Sequence, residues 1–387
     1  MIFNNFGSSY ISILIITFLI GNFWIHLKHV GPYFLYFLDI IIAIPAYFIN
    51  TAIPSVWDSV RFATMLDLFR GANNLYGTSG GLNWALNSSG YYPGQPVVVI
   101  YVWLYSFFKN NNVFFYCNIL LFLFLMSLLI IQVQKIYKFS NKTSLIIELI
   151  ILMSFNIFFE IEGVRNFLSY IILATFIFID FYSDEYKTKI LCILAYSLAI
   201  GLHPAALPFV LFRIVFILRS RLIRIMLAIC AFTYTVLLPQ ILQVFSGFTY
   251  FINNDSKTYL YGQSTFSSYS GFPEILFSTL LLVSLILELL IFCKCDFKKT
   301  ISQNYLQYYI VAILFTVGSY LSVQVYLRSI FLLLFLSIPI KMFLFSEYKN
   351  NILNYSIIYF YKYSSVIFSL IMLIYWNWQT YRHVVMY

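Results

Sequence analysis

Residues 113–134 read VFFYCNILLFLFLMSLLIIQVQ, an apolar run without a charged residue that is long enough to cross a lipid bilayer as a helix. Similar runs recur along the chain, which is 61% hydrophobic and 10% charged over 387 residues. No polar stretch is long enough to fold as a separate soluble domain. The sequence therefore predicts an all-α polytopic integral membrane protein with a single transmembrane domain over residues 1–387.

Runs of about 20 apolar residues are the predicted spans, and they lie at 9–27, 32–53, 113–134, 143–159, 165–183, 225–245, 273–293, 303–323, 327–345 and 355–376. Two shorter runs meet at His203-Pro204, where proline removes a backbone donor and favours a hairpin of two short helices. Together these runs predict about twelve transmembrane helices. The first run has neither a basic region nor a small-residue cleavage site, so we expect it to be retained as a span.

Lysine and arginine set the orientation, because short basic loops stay in the cytoplasm. With the N-terminus outside, most of the 23 basic residues lie inside, and those left outside are Arg61, Arg70, Lys109, Arg165, Lys257, Arg328 and Arg382. The net charge of +9 thus reflects membrane topology and indicates no nucleic-acid partner. This orientation requires the run 96–108 to be a short re-entrant or interfacial helix. Two sizeable loops, 54–95 and 246–272, then lie on the outer side of the membrane.

Motifs for metal or cofactor chemistry are not apparent in the sequence. It has no glycine-rich phosphate loop, no Asp-x-Asp metal site and no Ser/His/Asp spacing. Cys293 and Cys295 form a Cys-x-Cys pair without a partner histidine or a second pair, which is a poor metal site. We therefore expect any chemistry to come from scattered residues that helix packing brings together.

The first outer loop begins with SVWDSVRFATMLDLFR (55–70), whose apolar residues recur at helical spacing, as in an interfacial helix. It carries two acid–arginine pairs at i,i+3 spacing, Asp58 with Arg61 and Asp67 with Arg70. These are either ordinary surface ion pairs, which contribute little stability, or part of a substrate-gripping element. The Gly- and Asn-rich segment that follows is expected to be a mobile loop.

The second outer loop places tyrosines among Asn, Gln and Ser residues, with Tyr259 and Tyr261 at its centre. Aromatic faces beside hydrogen-bonding side chains suit sugar rings. The alternative is the aromatic belt that many membrane proteins have at the bilayer surface.

Three ionisable residues lie at the outer ends of predicted spans, where such residues indicate function by default. Arg165 follows Glu160 and Glu162, so it forms either a structural ion pair or an anion site, because guanidinium binds phosphate bidentately. His203 lies in the hairpin, as a hydrogen-bonded structural residue or as a functional one. Arg328 begins a span whose other residues are almost all apolar.

Acidic residues also occur inside the predicted spans, nearer their inner ends. We expect them to pair with inner Lys or Arg residues or to snorkel towards the cytoplasm, and they are Asp39, Glu148, Asp180 and Glu288.

The order of several short motifs resembles the EpsG-like branch of bacterial Wzy polysaccharide polymerases over most of the chain. The motifs are an outer loop after the second span, a Pro-Gly turn before a short apolar helix (Tyr92-Pro93-Gly94), Glu-x-x-Arg-x-x-x-Ser (Glu162 to Ser169), His-Pro-Ala-Ala (His203 to Ala206) and a late Arg-Ser. The chain has Tyr92 where the family usually has an acidic residue, and Asn166 where it usually has Gln. Asp58 and Asp67 are candidate replacements for that acidic residue.

The resemblance implies a glycosyltransferase at the periplasmic face of the bacterial inner membrane, with lipid-linked glycan substrates on undecaprenyl diphosphate and no metal or other cofactor. Arg165 and Arg328 would stabilise the departing lipid diphosphate. His203 would accept the proton of the attacking hydroxyl, or Glu162 would accept it while His203 orients the hydroxyl. Further substrate contacts would come from Arg61, Arg70, Asp58, Asp67, Tyr92, Tyr259 and Tyr261. Whether a chain-length regulator is also a partner stays open.

Three other functions remain alternatives. An O-antigen ligase would use nearly the same catalytic groups with lipid A core as the acceptor. A flippase for lipid-linked oligosaccharides would place arginines deep in a lumen and show a two-fold repeat, neither of which is evident. A membrane O-acyltransferase would need His203 paired with other catalytic groups.

Overall fold

The protein is α-helical throughout the part of the chain that the computed structural model describes, and no β-strand occurs in that part. The described residues are 2–25, 31–48, 58–92, 94–155, 163–218, 220–244, 272–294, 301–320, 322–346 and 352–385. The α-helices within them are α1 Ile2–Ile25, α2 Phe34–Ala43, α3 Asp58–Asn87, α4 Pro96–Tyr105, α5 Asn112–Tyr137, α6 Asn141–Ser154, α7 Val164–Tyr182, α8 Tyr186–Leu202, α9 Leu207–Val215, α10 Arg221–Val244, α11 Phe272–Lys294, α12 Gln303–Gly318, α13 Val323–Leu336, α14 Ile338–Phe345 and α15 Ile352–Val385.

Four helical segments are long and apolar enough to cross a membrane, and they are Asn112–Tyr137, Val164–Tyr182, Pro273–Lys294 and Ser356–Trp378. A bent pair, Val325–Leu336 with Ile338–Phe345, makes a fifth if its two helices, which meet at 46°, form one broken span. Proline near the start of α14 explains the break, because it cannot donate to the preceding turn. The protein is thus a helical membrane protein, and the twelve crossings stay a prediction.

Contacts divide the chain into two compact units. The first comprises Met1–Thr175, Ile193–Pro204 and Lys362–Tyr387, and the second comprises Phe176–Cys192 and Ala205–Tyr361.

The first unit contains a bundle in which α2 and α6 each run antiparallel to α5. Lys135 near the end of α5 donates to the hydroxyl of Tyr33 before α2 at 2.6 Å, whereas Asn112 at the start of α5 donates to the carbonyl of Tyr47 after α2 at 2.8 Å. The short turn after α5 brings α6 back alongside, and the Ser144 hydroxyl donates to Gln134 at 2.8 Å. The α1 helix packs on α2 and on α6.

The first outer segment differs from the expected interfacial helix and mobile loop. It is one helical segment, α3, that runs to Asn87 with a break at Gly77, whose φ is 69°. The apolar stripe of α3 packs against protein and is completely buried, with the side chains of Phe62, Met65, Leu66 and Phe69. The glycine-rich part stays helical because Asn73 accepts from the Trp103 indole at 2.9 Å and donates to Ser106 at 3.0 Å, which ties α3 to α4.

Two predicted breaks are confirmed. The run 96–108 forms the short helix α4 of 10 residues, about 15 Å long and too short to cross a bilayer. The other break falls at His203, where α8 ends at Leu202 and a 3₁₀ turn over Pro204–Ala206 leads into α9.

Two of the acidic residues in predicted spans pair with basic side chains as expected, and both belong to the second unit. Asp180 binds Lys189 and Arg213, each at 2.6 Å. Glu288 binds Lys341 and also accepts from the Tyr361 hydroxyl at 2.9 Å.

The same prediction is wrong for Asp39 and Glu148. Neither carboxyl group forms an ion pair with a basic side chain among the described residues, although both are completely buried, and the two carboxyl groups face each other. Lys135 lies near the end of the neighbouring helix α5, where its side chain contacts Tyr33 instead of either acid.

Candidate functional site

The Tyr92 turn connects α3 to α4 and has an unusual backbone. Tyr92 has φ 47°, and the glycines on either side, Gly90 and Gly94, have φ 72° and 75°. Glycine adopts this left-handed region freely, but for a residue with a Cβ atom it costs about 1–2 kcal/mol. The Gln95 amide donates to the Tyr92 carbonyl at 3.0 Å and closes the turn. Surrounding contacts must therefore hold Tyr92 in this conformation, a condition typical of functional sites.

Two arginine side chains converge on the Tyr92 ring. The Cζ atom of Arg165 lies 4.0 Å from the ring centroid, and that of Arg61 lies 4.9 Å from it. Guanidinium groups are attracted to the negative face of an aromatic ring at such distances. The ring of Phe62 stacks on Tyr92 at 6.1 Å between centroids and fixes it from α3.

Gln95 adds a polar contact to this cluster. The Nη1 atom of Arg165 donates to the Oε1 atom of Gln95 at 2.9 Å. Arg165 is the second residue of α7, so the unbonded N–H groups of the first helical turn lie at the same end of the helix. Three distant parts of the chain thus meet here: α3, the Tyr92 turn and the start of α7. We call Arg61, Tyr92, Gln95 and Arg165 the Tyr92 cluster.

His203 lies beside the same end of α7. One turn after Arg165, the Ser169 hydroxyl donates to the Ala199 carbonyl at 2.9 Å, and that carbonyl also accepts from the His203 amide at 2.9 Å. A Cβ atom at Gly201 would stand 2.6 Å from a methyl group of Val97, so only glycine permits this approach of α8 to α4. His203 is 5% exposed. The structure therefore brings His203 and the Tyr92 cluster to one region of the first unit.

The electrostatics of the Tyr92 cluster favour an anionic ligand. The two Cζ atoms cannot be farther apart than the sum of their distances to the ring, about 9 Å. Two positive charges this close repel each other, and an anion that binds to both reduces this repulsion. Guanidinium groups bind phosphate oxygens with paired, charge-assisted hydrogen bonds.

Arg70 and Asp67 lie in a different arrangement on α3. Arg70 donates to Asp67 at 2.7 Å, to the Phe108 carbonyl at 2.6 Å and to the side chain of Asn111 at 2.8 Å. Asn111 in turn donates to Asp67 at 3.1 Å. This network joins α3 to the turn between α4 and α5, so the geometry favours the structural interpretation of this ion pair.

The structure describes the remaining predicted site residues only in part. Arg328 lies on α13 in the second unit and is partly buried. Asp58 is the first residue of α3, but its side chain lies outside the described part, as do Glu162, Tyr259 and Tyr261 entirely. The clamp of Arg165 with Arg328 and the sugar-binding role of the second outer loop stay predictions.

Gln95 was not predicted as a site residue. Gln95 lies directly after the Pro-Gly turn and before the proline of α4. This position indicates a place beside Tyr92, so the sequence could have predicted Gln95 as a site residue. The pairing of Arg61 with Arg165 was also not predicted, since it depends on how α3 packs.

Among the described residues, no group of three or more His, Cys, Asp or Glu side chains could hold a metal ion. Comparisons with models of protein families, with curated proteins and with solved structures found no match to this chain.

Proposed function

We propose that the protein is a polysaccharide polymerase of the bacterial inner membrane. It transfers the growing glycan from undecaprenyl diphosphate to a newly flipped lipid-linked repeat unit at the periplasmic face. The convergence of Arg61 and Arg165 on the Tyr92 ring is the observation that carries the proposal, because a transfer from a lipid diphosphate needs cationic groups where that diphosphate departs.

The leaving group determines which residues the reaction needs. The oxygen of the attacking sugar hydroxyl forms a bond to the anomeric carbon of the growing glycan, and the bond from that carbon to the diphosphate oxygen breaks. The electron pair of the broken bond stays on the diphosphate, whose added charge needs fixed positive groups. Arg61 and Arg165 supply two charges that no pH in the working range removes.

Tyr92 explains how the arginines can be held without losing their charge. A carboxylate at this position, as in the family that the sequence resembles, would hold the guanidinium groups but neutralise part of their charge. An aromatic ring attracts them through its negative face and carries no net charge. The ring itself therefore does not neutralise the arginines.

The hydroxyl proton needs an acceptor beside the arginines. His203, neutral near pH 7, is such an acceptor, and its placement at the end of α8 next to α4 and α7 supports this role. In the alternative, Glu162 accepts the proton and His203 orients the attacking hydroxyl. Arg328 belongs to the second unit, and its role as a clamp residue stays a prediction.

A strain that lacks the gene, complemented with variants and examined by gel for surface polysaccharide, tests the function. A strain without a polymerase keeps one repeat unit on its lipid core, and we expect this pattern for the deletion. A strain without a ligase keeps no repeat unit on the core, and one without a flippase accumulates lipid-linked units in the inner leaflet. Either of these patterns would replace the polymerase with that alternative.

Complementation with arginine variants tests the site itself. Because a lysine cannot bind phosphate bidentately, we expect Arg61→Lys and Arg165→Lys to lose most polymerisation at normal protein levels. Arg221→Lys is the matched control, since Arg221 is exposed at the start of α10 and should tolerate the change. Full activity of both site variants would contradict the proposed clamp.

A further inference from the structure

A second group of polar residues lies inside the helical bundle of the first unit. Asp39 on α2, Ser127 on α5 and Glu148 on α6 are each completely buried. The Asp39 carboxyl group faces both the Glu148 carboxyl group and the Ser127 side chain. These residues come from three helices that pack side by side, so the bundle itself brings them together.

Among the described residues, the polar atoms of this group have no partner outside the group, so the two carboxyl groups and the hydroxyl meet only one another. This holds for both carboxyl oxygens of Asp39, both of Glu148 and the hydroxyl of Ser127. Buried polar atoms in proteins are almost always hydrogen-bonded, so each exception needs an explanation. The Ser127 hydroxyl is a separate observation beside the acid pair, because it is completely buried, faces Asp39 and has no partner outside this group among the described residues.

Thr17 on α1 extends the group. Its hydroxyl is completely buried and also lacks a partner. Gly21, one turn along α1, packs so closely on Leu145 of α6 that a Cβ atom would stand 2.6 Å from it. Because α1 runs antiparallel to α6, Thr17 lies at the same level of the bundle as Glu148, which is one turn from Leu145.

Two ionised carboxylates cannot share such a position. Each would lose its hydration inside a low-dielectric bundle, and the two negative charges would repel each other at close range. Burial without a basic partner is therefore compatible only with a bound positive charge. Two carboxyl groups that share a site commonly solve this problem by sharing a proton.

We propose that Asp39 and Glu148 form a proton-binding site inside the membrane bundle, with Ser127 and Thr17 as hydrogen-bonding neighbours of the protonated pair. A proton fits better than a metal cation, because a metal ion needs several oxygen ligands in defined geometry. Among the described residues the pair is not joined by a third acidic, His or Cys side chain.

The other ionisable groups around this site belong to the same bundle. Lys135 on α5 donates to Tyr33, and Tyr36 of α2 lies one turn before Asp39. Lys142 near the start of α6 is exposed, and α1 contributes no titratable side chain over residues 11–25.

The acid pair is distinct from the Tyr92 cluster and does not depend on the proposed polymerase function. Phe62, which stacks on Tyr92, also contacts Phe114 near the start of α5, with 5.2 Å between ring centroids. Ser127 lies thirteen residues further along α5, which is about 20 Å at 1.5 Å per residue. Experiments on one site therefore leave the other unchanged.

Infrared difference spectroscopy on the full-length protein in lipid vesicles tests the proposal. Asp39→Asn and Glu148→Gln keep side-chain size and resemble the protonated form, so we expect both variants to fold. We expect a carboxylic-acid carbonyl band at neutral pH that the double variant lacks and that Glu185→Gln retains, since Glu185 is exposed. A wild-type spectrum without such a band at neutral pH would overturn the proposal.

Thermal unfolding in detergent gives a second measurement. The folded protein binds a proton that the unfolded chain releases at neutral pH, so the wild-type midpoint should fall as pH rises, and the double variant should lose this dependence. Replacing sodium with choline at constant pH should leave the midpoint of thermal unfolding unchanged. A sodium-dependent midpoint that the double variant lacks would make this a sodium site instead. If neither single variant folds, the protonated-pair assignment is also wrong, because neutral amides of equal size should preserve it.

Discussion

Tyr92→Gly separates the role of the Tyr92 ring from the conformation of its turn. Glycine adopts φ 47° without strain, so the substitution relieves about 1–2 kcal/mol of backbone cost. This gain offsets part of the stability that burial of the ring provides. We therefore expect a protein that folds and reaches the membrane but in which the Arg61 and Arg165 side chains have lost their aromatic support.

The magnitude follows from the two cation–π contacts. Each is worth roughly 0.5–2 kcal/mol, depending on exposure, and both Cζ atoms lie within 5 Å of the ring centroid. If the arginines lose about 2 kcal/mol of positioning energy in total, the rate of glycan transfer falls about 30-fold. Tyr92→Phe keeps the ring and should keep the rate within a few-fold of the wild type.

The assay is chain extension of a lipid-linked repeat unit by purified protein, with product length resolved on a gel. Thermal unfolding in detergent accompanies each variant, so that loss of folding is distinguished from loss of transfer. Wild-type extension by a folded Tyr92→Gly protein would refute the argument that the ring supports the arginines. Equal loss in the Phe and Gly variants would shift the role from the ring to the Tyr92 hydroxyl.

Three further predictions concern topology, the proton acceptor and helix packing. A cysteine introduced near Asn87 should react with an impermeant thiol reagent from outside and one near Arg221 should not; the reverse pattern would invert the orientation. His203→Ala should slow extension about 100-fold to 10,000-fold while lipid-linked repeat units still bind, and near-normal extension by His203→Gln would leave His203 an orienting group. Gly201→Ala should destabilise the protein by about 1–3 kcal/mol because of its clash with Val97, and Val97→Ala should restore the thermal midpoint.

The sequence predicted a helical membrane protein, because the bilayer imposes a simple length rule on apolar runs, while the number of crossings stays a prediction. Proline position predicted the break at His203, since a missing backbone donor acts locally, and the short length of the run 96–108 predicted its short helix. The segment after Arg70 was predicted wrongly. Its glycines and asparagines are typical of loops, but contacts such as Asn73 with Trp103 keep it helical.

Side-chain partners were less predictable than helices. Asp180 and Glu288 form ion pairs with lysines, as charge balance requires, whereas the carboxyl groups of Asp39 and Glu148 face each other. An ion pair neutralises a buried carboxylate directly, whereas the acid pair does so only with the proton proposed above, and the rotation of each helix decides which residues meet. The sequence records the residues on a helix but not the direction in which that helix turns its polar side.

A tyrosine and a carboxylate at the position of Tyr92 would hold the two arginines in physically different ways. A carboxylate between two arginines forms a salt bridge, so an incoming diphosphate must compete with it for the same donors. A ring attracts guanidinium groups without forming a salt bridge to them, and the Nη1 atom of Arg165 donates to Gln95. In the proposed polymerase, Tyr92 would thus be a neutral support for the arginines that does not compete with an incoming anion.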